Sequence, residues 1–109
     1  MEISFKNIKL EKSFIDVKVL AKTYGAMAKK VKQRYEDLKL ADSLFVISQY
    51  PAMRLHPYQG NKGIWSVDIY KNWRILFTIN QDPIPTLEDG GVNLKAVTMI
   101  KIESVEDPH

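Results

Sequence analysis

The chain opens on a short alternation of polar and apolar residues, Glu2–Lys6 (EISFK), which predicts a strand at the edge of a sheet. Asn7 follows as an N-cap candidate, because its side chain can accept an orphan amide of the first helical turn. Leu10, Phe14, Val17, Ala21 and Tyr24 then recur at spacings of four and three, one stripe of an amphipathic helix. Gly25 supplies a stop or a kink. A second stripe runs through Ala28, Val31, Tyr35 and Leu38, with Lys29, Lys30, Lys32, Arg34, Glu36 and Lys39 mostly on the other side. Two antiparallel helices joined near Tyr24–Gly25 are therefore predicted, with both stripes in the core rather than in a cofactor box. Asp42–Gln49 fits either a short helix capped by Asp42 or Ser43 or an apolar connector, and Tyr50-Pro51 ends it.

Past Pro51 the period changes to two. Met53–His56 is a candidate strand, which Pro57 keeps out of a central position. Gln59-Gly60-Asn61-Lys62-Gly63 is turn chemistry, without the spacing of a phosphate-cradling loop. Ile64–Tyr70 and Trp73–Asn80 both alternate. A two-residue turn at Lys71-Asn72 pairs Ile69 with Arg74 and mixes the faces. A three-residue loop at Tyr70–Asn72 pairs Ile69 with Trp73 and gathers Trp65, Val67, Ile69, Trp73, Ile75, Phe77 and Ile79 on one side. The second register is preferred, since a slip is costly where one face is buried. It sets Asp68 opposite Arg74 and Ser66 opposite Leu76. Gln81–Val92 is a Pro- and Gly-rich loop, Asn93–Val105 reads as a last strand, and Glu106–His109 is an acidic tail. The sum is an α+β domain spanning residues 1–109, with N-terminal helices on one face of a small, mainly antiparallel sheet. The other face, bearing Asp68 and Arg74 and flanked by Arg54 and His56, is left for water or a ligand.

Composition narrows the chemistry. A chain of 109 residues with 45% hydrophobic and 27% charged residues fits one globular domain. The absence of cysteine excludes disulfides, thiolate metal sites and a cysteine nucleophile, and suits a reducing compartment. No apolar run approaches a membrane span and Met1–Lys12 lacks the layout of a signal peptide, so a cytoplasmic protein without membrane attachment is expected. The net charge of +3 is unevenly spread: residues 1–40 carry ten Lys/Arg against five Asp/Glu, residues 41–109 six against eight. Such a basic half attracts a polyanion such as RNA or an acidic protein, or is simply a lysine-rich solvated surface.

Metal-binding and nucleophile-triad spacings are missing, and the residues that remain suit phosphodiester cleavage. That reaction needs a base for the ribose 2′-OH, an acid for the leaving oxygen and cations for the charge building on phosphorus. His56, Asp107 and His109 are the proton-handling candidates; Arg54, Lys62 and Arg74 are the cations. Each has a structural counterpart. His56 can be a strand-end histidine satisfied by backbone, Arg74 can pair with Asp68 across the hairpin, and Asp107 and His109 lie where chains fray. Trp65 and Trp73 belong to the core by register and are not offered as stacking platforms.

Arg54-Leu55-His56-Pro57, Gly60, Lys62-Gly63, Trp65-Ser66-Val67, Asn72-Trp73-Arg74-Ile75-Leu76-Phe77 and Glu106-Asp107-Pro108-His109 together resemble the HigB toxins of the RelE/ParE toxin–antitoxin superfamily. The Met-Glu-Ile-Ser-Phe-Lys-Asn opening and Glu88-Asp89-Gly90-Gly91 resemble a HigB-like subgroup often labelled "killer suppression protein". The resemblance implies a RelE-like microbial-RNase fold and a ribosome-dependent mRNA endoribonuclease (an mRNA interferase) that inhibits translation without metal or cofactor. It implies His56, Arg74, Asp107 and His109 as catalytic residues and Asn72 as a residue that orients substrate; Arg54 and Lys62 are added as RNA contacts on their charge. It also implies a HigA-like helix-turn-helix antitoxin as partner, through which operator DNA is reached indirectly. Two positions depart from the pattern: Gln59 stands where the family has lysine, and Pro108 where it has tyrosine. They open an alternative, a catalytically weak or inactive RelE-fold binding or regulatory module of a toxin–antitoxin operon.

Overall fold

Asn7 begins the first helix as its position predicts. The computed structural model, which describes residues 1–58 and 63–107, shows its Oδ1 accepting the Leu10 amide at 2.8 Å, a cap that contributes about 1 kcal/mol. The helix, α1 (Ile8–Ile15), is nevertheless only eight residues long. Asp16 takes extended backbone (φ −91°, ψ 116°), while its carboxylate accepts the amides of Lys18 and Val19 and so caps a second helix, α2 (Val17–Tyr24). One residue thus ends α1 and starts α2. The single helix expected over this stretch is corrected accordingly, because a short carboxylate competes with the backbone for its own amides.

That break changes which side chains are buried. Val17 is 71% exposed and Ala21 is exposed, although the unbroken stripe put both in the core. Ser13, Phe14 and Leu20 are buried instead. The second stripe holds: in α3 (Ala28–Leu40), reached through a 3-10 turn at Gly25–Met27, Val31 and Leu38 are fully buried. The rings of Phe5, Phe14, Tyr24 and Tyr35 pack at centroid distances of 5.3–5.9 Å and seat the helices against the first strand. The Met1 ammonium donates to the carbonyls of Lys39 (2.7 Å) and Ala41 (2.6 Å), meeting orphan acceptors at the end of α3.

Asp42–Gln49 resolves to a short helix, α4 (Leu44–Ser48), with Ser43 at its N-cap. The Ser43 side chain makes no capping bond; the Leu44 amide is held by the Val97 carbonyl at 3.0 Å, so tertiary contact fixes this helix. The strand expected over Met53–His56 is mostly replaced by a 3-10 turn at Pro51–Met53, and only β2 (His56–Pro57) pairs with the sheet. Arg54, between them, takes a left-handed conformation (φ 42°) that no strand accommodates.

Five strands form one mixed sheet in the order β1-β5-β4-β3-β2, where β1 is Glu2–Phe5, β3 Ile64–Tyr70, β4 Trp73–Ile79 and β5 Met99–Glu106. The β1–β5 pair is parallel, and the β2–β3, β3–β4 and β4–β5 pairs are antiparallel. The last strand starts later than the sequence suggests, since a 3-10 turn at Leu94–Ala96 precedes it. The hairpin keeps the predicted register along its body, Asp68 opposite Arg74 and Ser66 opposite Leu76, but closes differently. Tyr70 pairs with Trp73 across a two-residue turn, and a β-bulge absorbs Ile69. Ile69 thereby stays buried while the short turn is kept, an outcome that combines the two alternatives. Val67, Ile69, Ile75, Phe77, Ile79, Ile100 and Ile102 form the core with the buried residues of the helices, and Trp65 and Trp73 pack against it.

Candidate functional site

The face of the sheet away from this core can be read as two rows across the strands. His56, Ser66, Leu76 and Ser104 occupy matched positions on β2, β3, β4 and β5. Two residues further along β3, Asp68 faces Arg74, which faces Glu106. Arg54, two residues before His56, extends this second row through its side chain. Charge therefore alternates along it: Arg54, Asp68, Arg74, Glu106.

Asp68 organises the row. Its carboxylate accepts from Arg54 at two points, Nε to Oδ2 at 2.9 Å and Nη2 to Oδ1 at 3.4 Å. Its backbone carbonyl, beside the bulge, accepts from Arg34 Nε at 2.8 Å, and Arg34 also reaches Asp37 on its own helix. The ion pair expected between Asp68 and Arg74 is thus replaced by one with Arg54. This pair is half in water, with side chains 59% and 27% exposed, so its net contribution is at most about 1 kcal/mol. That is comparable to the cost of about 1–2 kcal/mol for a non-glycine residue in the left-handed region, where Arg54 sits. Hydrogen bonding and attraction from the Asp68 carboxylate raise the Arg54 pKa further above its ordinary value.

His56 is half-buried, and its Nδ1 lies 2.6 Å from the Arg54 carbonyl oxygen. A carbonyl only accepts, so Nδ1 carries the proton and Nε2 is the ring's acceptor when neutral. The backbone contact expected of a strand-end histidine is thus made at Nδ1, and in this tautomer Nε2 is the nitrogen able to accept a proton.

Arg74 has no such partner at its Nε, which is buried and, among the described residues, lacks a hydrogen-bond acceptor. Leaving a buried donor unmade costs about 1–3 kcal/mol, more for a charged group. Beside it, Ser66 and Leu76 are buried rather than solvated, which corrects the expectation of a wholly open polar face; Ser66 Oγ also lacks a partner among the described residues. Asn72 is exposed at the hairpin turn, and Asp107 is partly buried just beyond the end of β5. Lys62 and His109, and the departing positions Gln59 and Pro108, lie outside the described residues. From strand spacing and rise, the Cα atoms of His56 and Arg74 are about 12 Å apart, so one long and one short side chain can flank a group of phosphate size.

Sequence reasoning missed Asp68 as the hub and Arg34 as its support. The first had a signal in its register; the second, separated by 34 residues from its acceptor, had none. A cleft of about 780 Å³ lies elsewhere, between α1, α2, the hairpin tip and the end of β5. Leu10, Met27, Trp73 and Val105 line it together with Lys6, Lys9 and Lys71, whereas His56 and Arg74 do not. Burial raises the pKa of Tyr24 at its wall, opposed by the hydrogen bond with Ser13. Among the described residues, no three His, Asp or Glu side chains gather to hold a metal, and no helix is long and apolar enough to cross a membrane. Comparison with known protein families and with curated proteins finds no match to this chain.

Proposed function

We propose that this chain is a HigB-like toxin of the RelE/ParE superfamily, with a RelE-like microbial-RNase fold, that cleaves mRNA on the ribosome in the cytoplasm and is neutralised by a HigA-like antitoxin. One observation carries the reading. A histidine with Nδ1 committed and Nε2 left as acceptor shares a sheet face with an arginine whose buried Nε lacks a partner among the described residues. In this reading His56 Nε2 exchanges the proton of the ribose 2′-OH. Arg74 holds the charge on phosphorus, and the unmade bond at Nε is then made only by the phosphate. Asp107 and His109 serve as further proton-handling groups, and Asn72 and Lys62 as RNA contacts. Cleavage leaves a cyclic phosphate and a free 5′-hydroxyl, with the proton from O2′ passing by way of base and acid to the leaving oxygen.

The test is induction in a bacterial host with mapping of mRNA ends. Growth arrest and cuts in translated messages are expected, both abolished in His56→Ala and Arg74→Ala. Full toxicity in both variants overturns the roles of His56 and Arg74 in cleavage. The alternative, a binding or regulatory module of the same fold, draws support from the lysine-edged cleft away from His56 and from the engagement of Arg54 by Asp68. Tight complex formation with a helix-turn-helix partner and no mRNA cleavage would favour it.

A further inference from the structure

Arg54 is a natural phosphate contact on charge alone, yet its geometry gives it other work. Its guanidinium is clamped by Asp68 at two points, 2.9 and 3.4 Å. Its backbone is left-handed, a conformation an arginine adopts only where its surroundings hold it. The carbonyl of that same residue is the group that fixes the proton on His56 Nδ1, at 2.6 Å. The Asp68 backbone is itself tied to α3 through Arg34. A continuous chain of bonds thus runs from α3 to the imidazole: Arg34, Asp68, Arg54, His56.

We propose that Asp68 and Arg54 are positioning residues that set the tautomer and aim of His56, Asp68 by clamping the Arg54 side chain and Arg54 by presenting its carbonyl to Nδ1. This inference rests on the proton-transfer role proposed for His56, although the bonds that motivate it do not. Release of the clamp lets Arg54 relax toward an ordinary backbone conformation, its carbonyl swings away, and the ring is free to carry its proton on either nitrogen. The molecules with the proton on Nε2 cannot accept the 2′-OH proton there, so the fraction of competent enzyme falls while RNA binding does not.

The tautomer is read directly from the ring-nitrogen shifts of ¹⁵N-labelled protein at about pH 9, above the ordinary histidine range, with the His56 signals assigned by their loss in His56→Gln. The expected wild-type pattern is a protonated Nδ1 and a bare Nε2. In Asp68→Ala the two shifts should converge toward the values of a mobile imidazole while strand amides keep their positions. Asp68→Val, a strand-favouring side chain with no acceptor for Arg54, serves the same purpose if the alanine variant does not fold. On ribosome-bound mRNA, kcat should fall about 10- to 100-fold, the scale of a misplaced reacting group, with KM changed by less than about twofold. Wild-type shifts retained in the Asp68 variant, or a wild-type ring protonated on Nε2, would overturn the proposal. Absence of cleavage by the wild type would sink the catalytic reading alone, since the ring-nitrogen comparison decides the positioning without it.

Discussion

Asp68 and Arg74 face each other across the β3–β4 hairpin, yet the Asp68 carboxylate turns away to Arg54. Arg74 is thereby left with a buried Nε that has no acceptor among the described residues, an arrangement that costs the fold rather than stabilising it. Replacing it with an apolar side chain of similar reach should therefore be harmless to stability. Arg74→Met retains the packing of the aliphatic stem and removes the unsatisfied donor, so unfolding free energy should stay level or rise by up to about 1–3 kcal/mol. In the reaction proposed above, cleavage of ribosome-bound mRNA should fall by about 10²–10³-fold, the scale for loss of one donor to a developing negative charge. A urea titration and a cleavage assay on the same preparation separate the two. A variant that loses several kcal/mol while still cutting would make Arg74 structural.

The hairpin shows how far alternation along a strand determines register. Seven apolar residues on one face were enough to set Asp68 against Arg74 and Ser66 against Leu76. They were not enough to close the loop, because a bulge lets a two-residue turn coexist with a buried Ile69. The turn leaves its own mark in Lys71, at φ 53°. Lys71→Gly should stabilise the protein: relief from the left-handed region is worth about 1–2 kcal/mol, against about 0.5–1 for the exposed cation–π contact of Lys71 with Tyr70. A net gain of roughly 0.5–1 kcal/mol in chemical denaturation is expected. A loss would mean that the lysine contact outweighs the backbone strain.

Asp16 marks a different kind of limit. The stripe Leu10, Phe14, Val17, Ala21, Tyr24 has good helical period, and nothing in it announces a break. The break comes from one side chain that accepts two amides of the next turn, a choice between nearly equal local structures that periodicity cannot register. Asp16→Ala should lower stability by about 1–2 kcal/mol through the lost cap. It should also raise helical content slightly as α1 and α2 extend toward each other. A circular-dichroism melt tests both, and an unchanged midpoint would show the cap to be dispensable. The site has the same character. His56, Asp68 and Arg74 were legible on one face, but the Arg54–Asp68 clamp depends on a left-handed backbone that follows from the tertiary setting, not from local sequence.

Tyr35 offers a measure of how firmly α3 is seated on the sheet. Its pKa is raised above the ordinary 10.0, first by burial among the rings of Phe5 and Phe14 and then by the nearby Glu11 carboxylate. Tyr24 is shifted in the same direction, mainly by burial. The folded protein therefore holds these phenolic protons more tightly than the unfolded chain does. Their contribution to stability is complete below pH 10 and is lost as the pH climbs from there through the higher folded values. Wild-type denaturation midpoints should be level with respect to these groups up to about pH 9 and fall beyond pH 10. Lysines titrate in the same range, so the comparison that isolates the ring is with Tyr35→Phe, which keeps the aromatic packing and has no proton to lose. Its midpoint should decline less steeply between pH 9.5 and 11 (on the order of a few tenths of molar urea). Parallel decline of the two proteins would mean that Tyr35 ionises as freely in the folded state as in the unfolded one. The packing of Phe5, Phe14 and Tyr35 would then be looser than their ring distances imply.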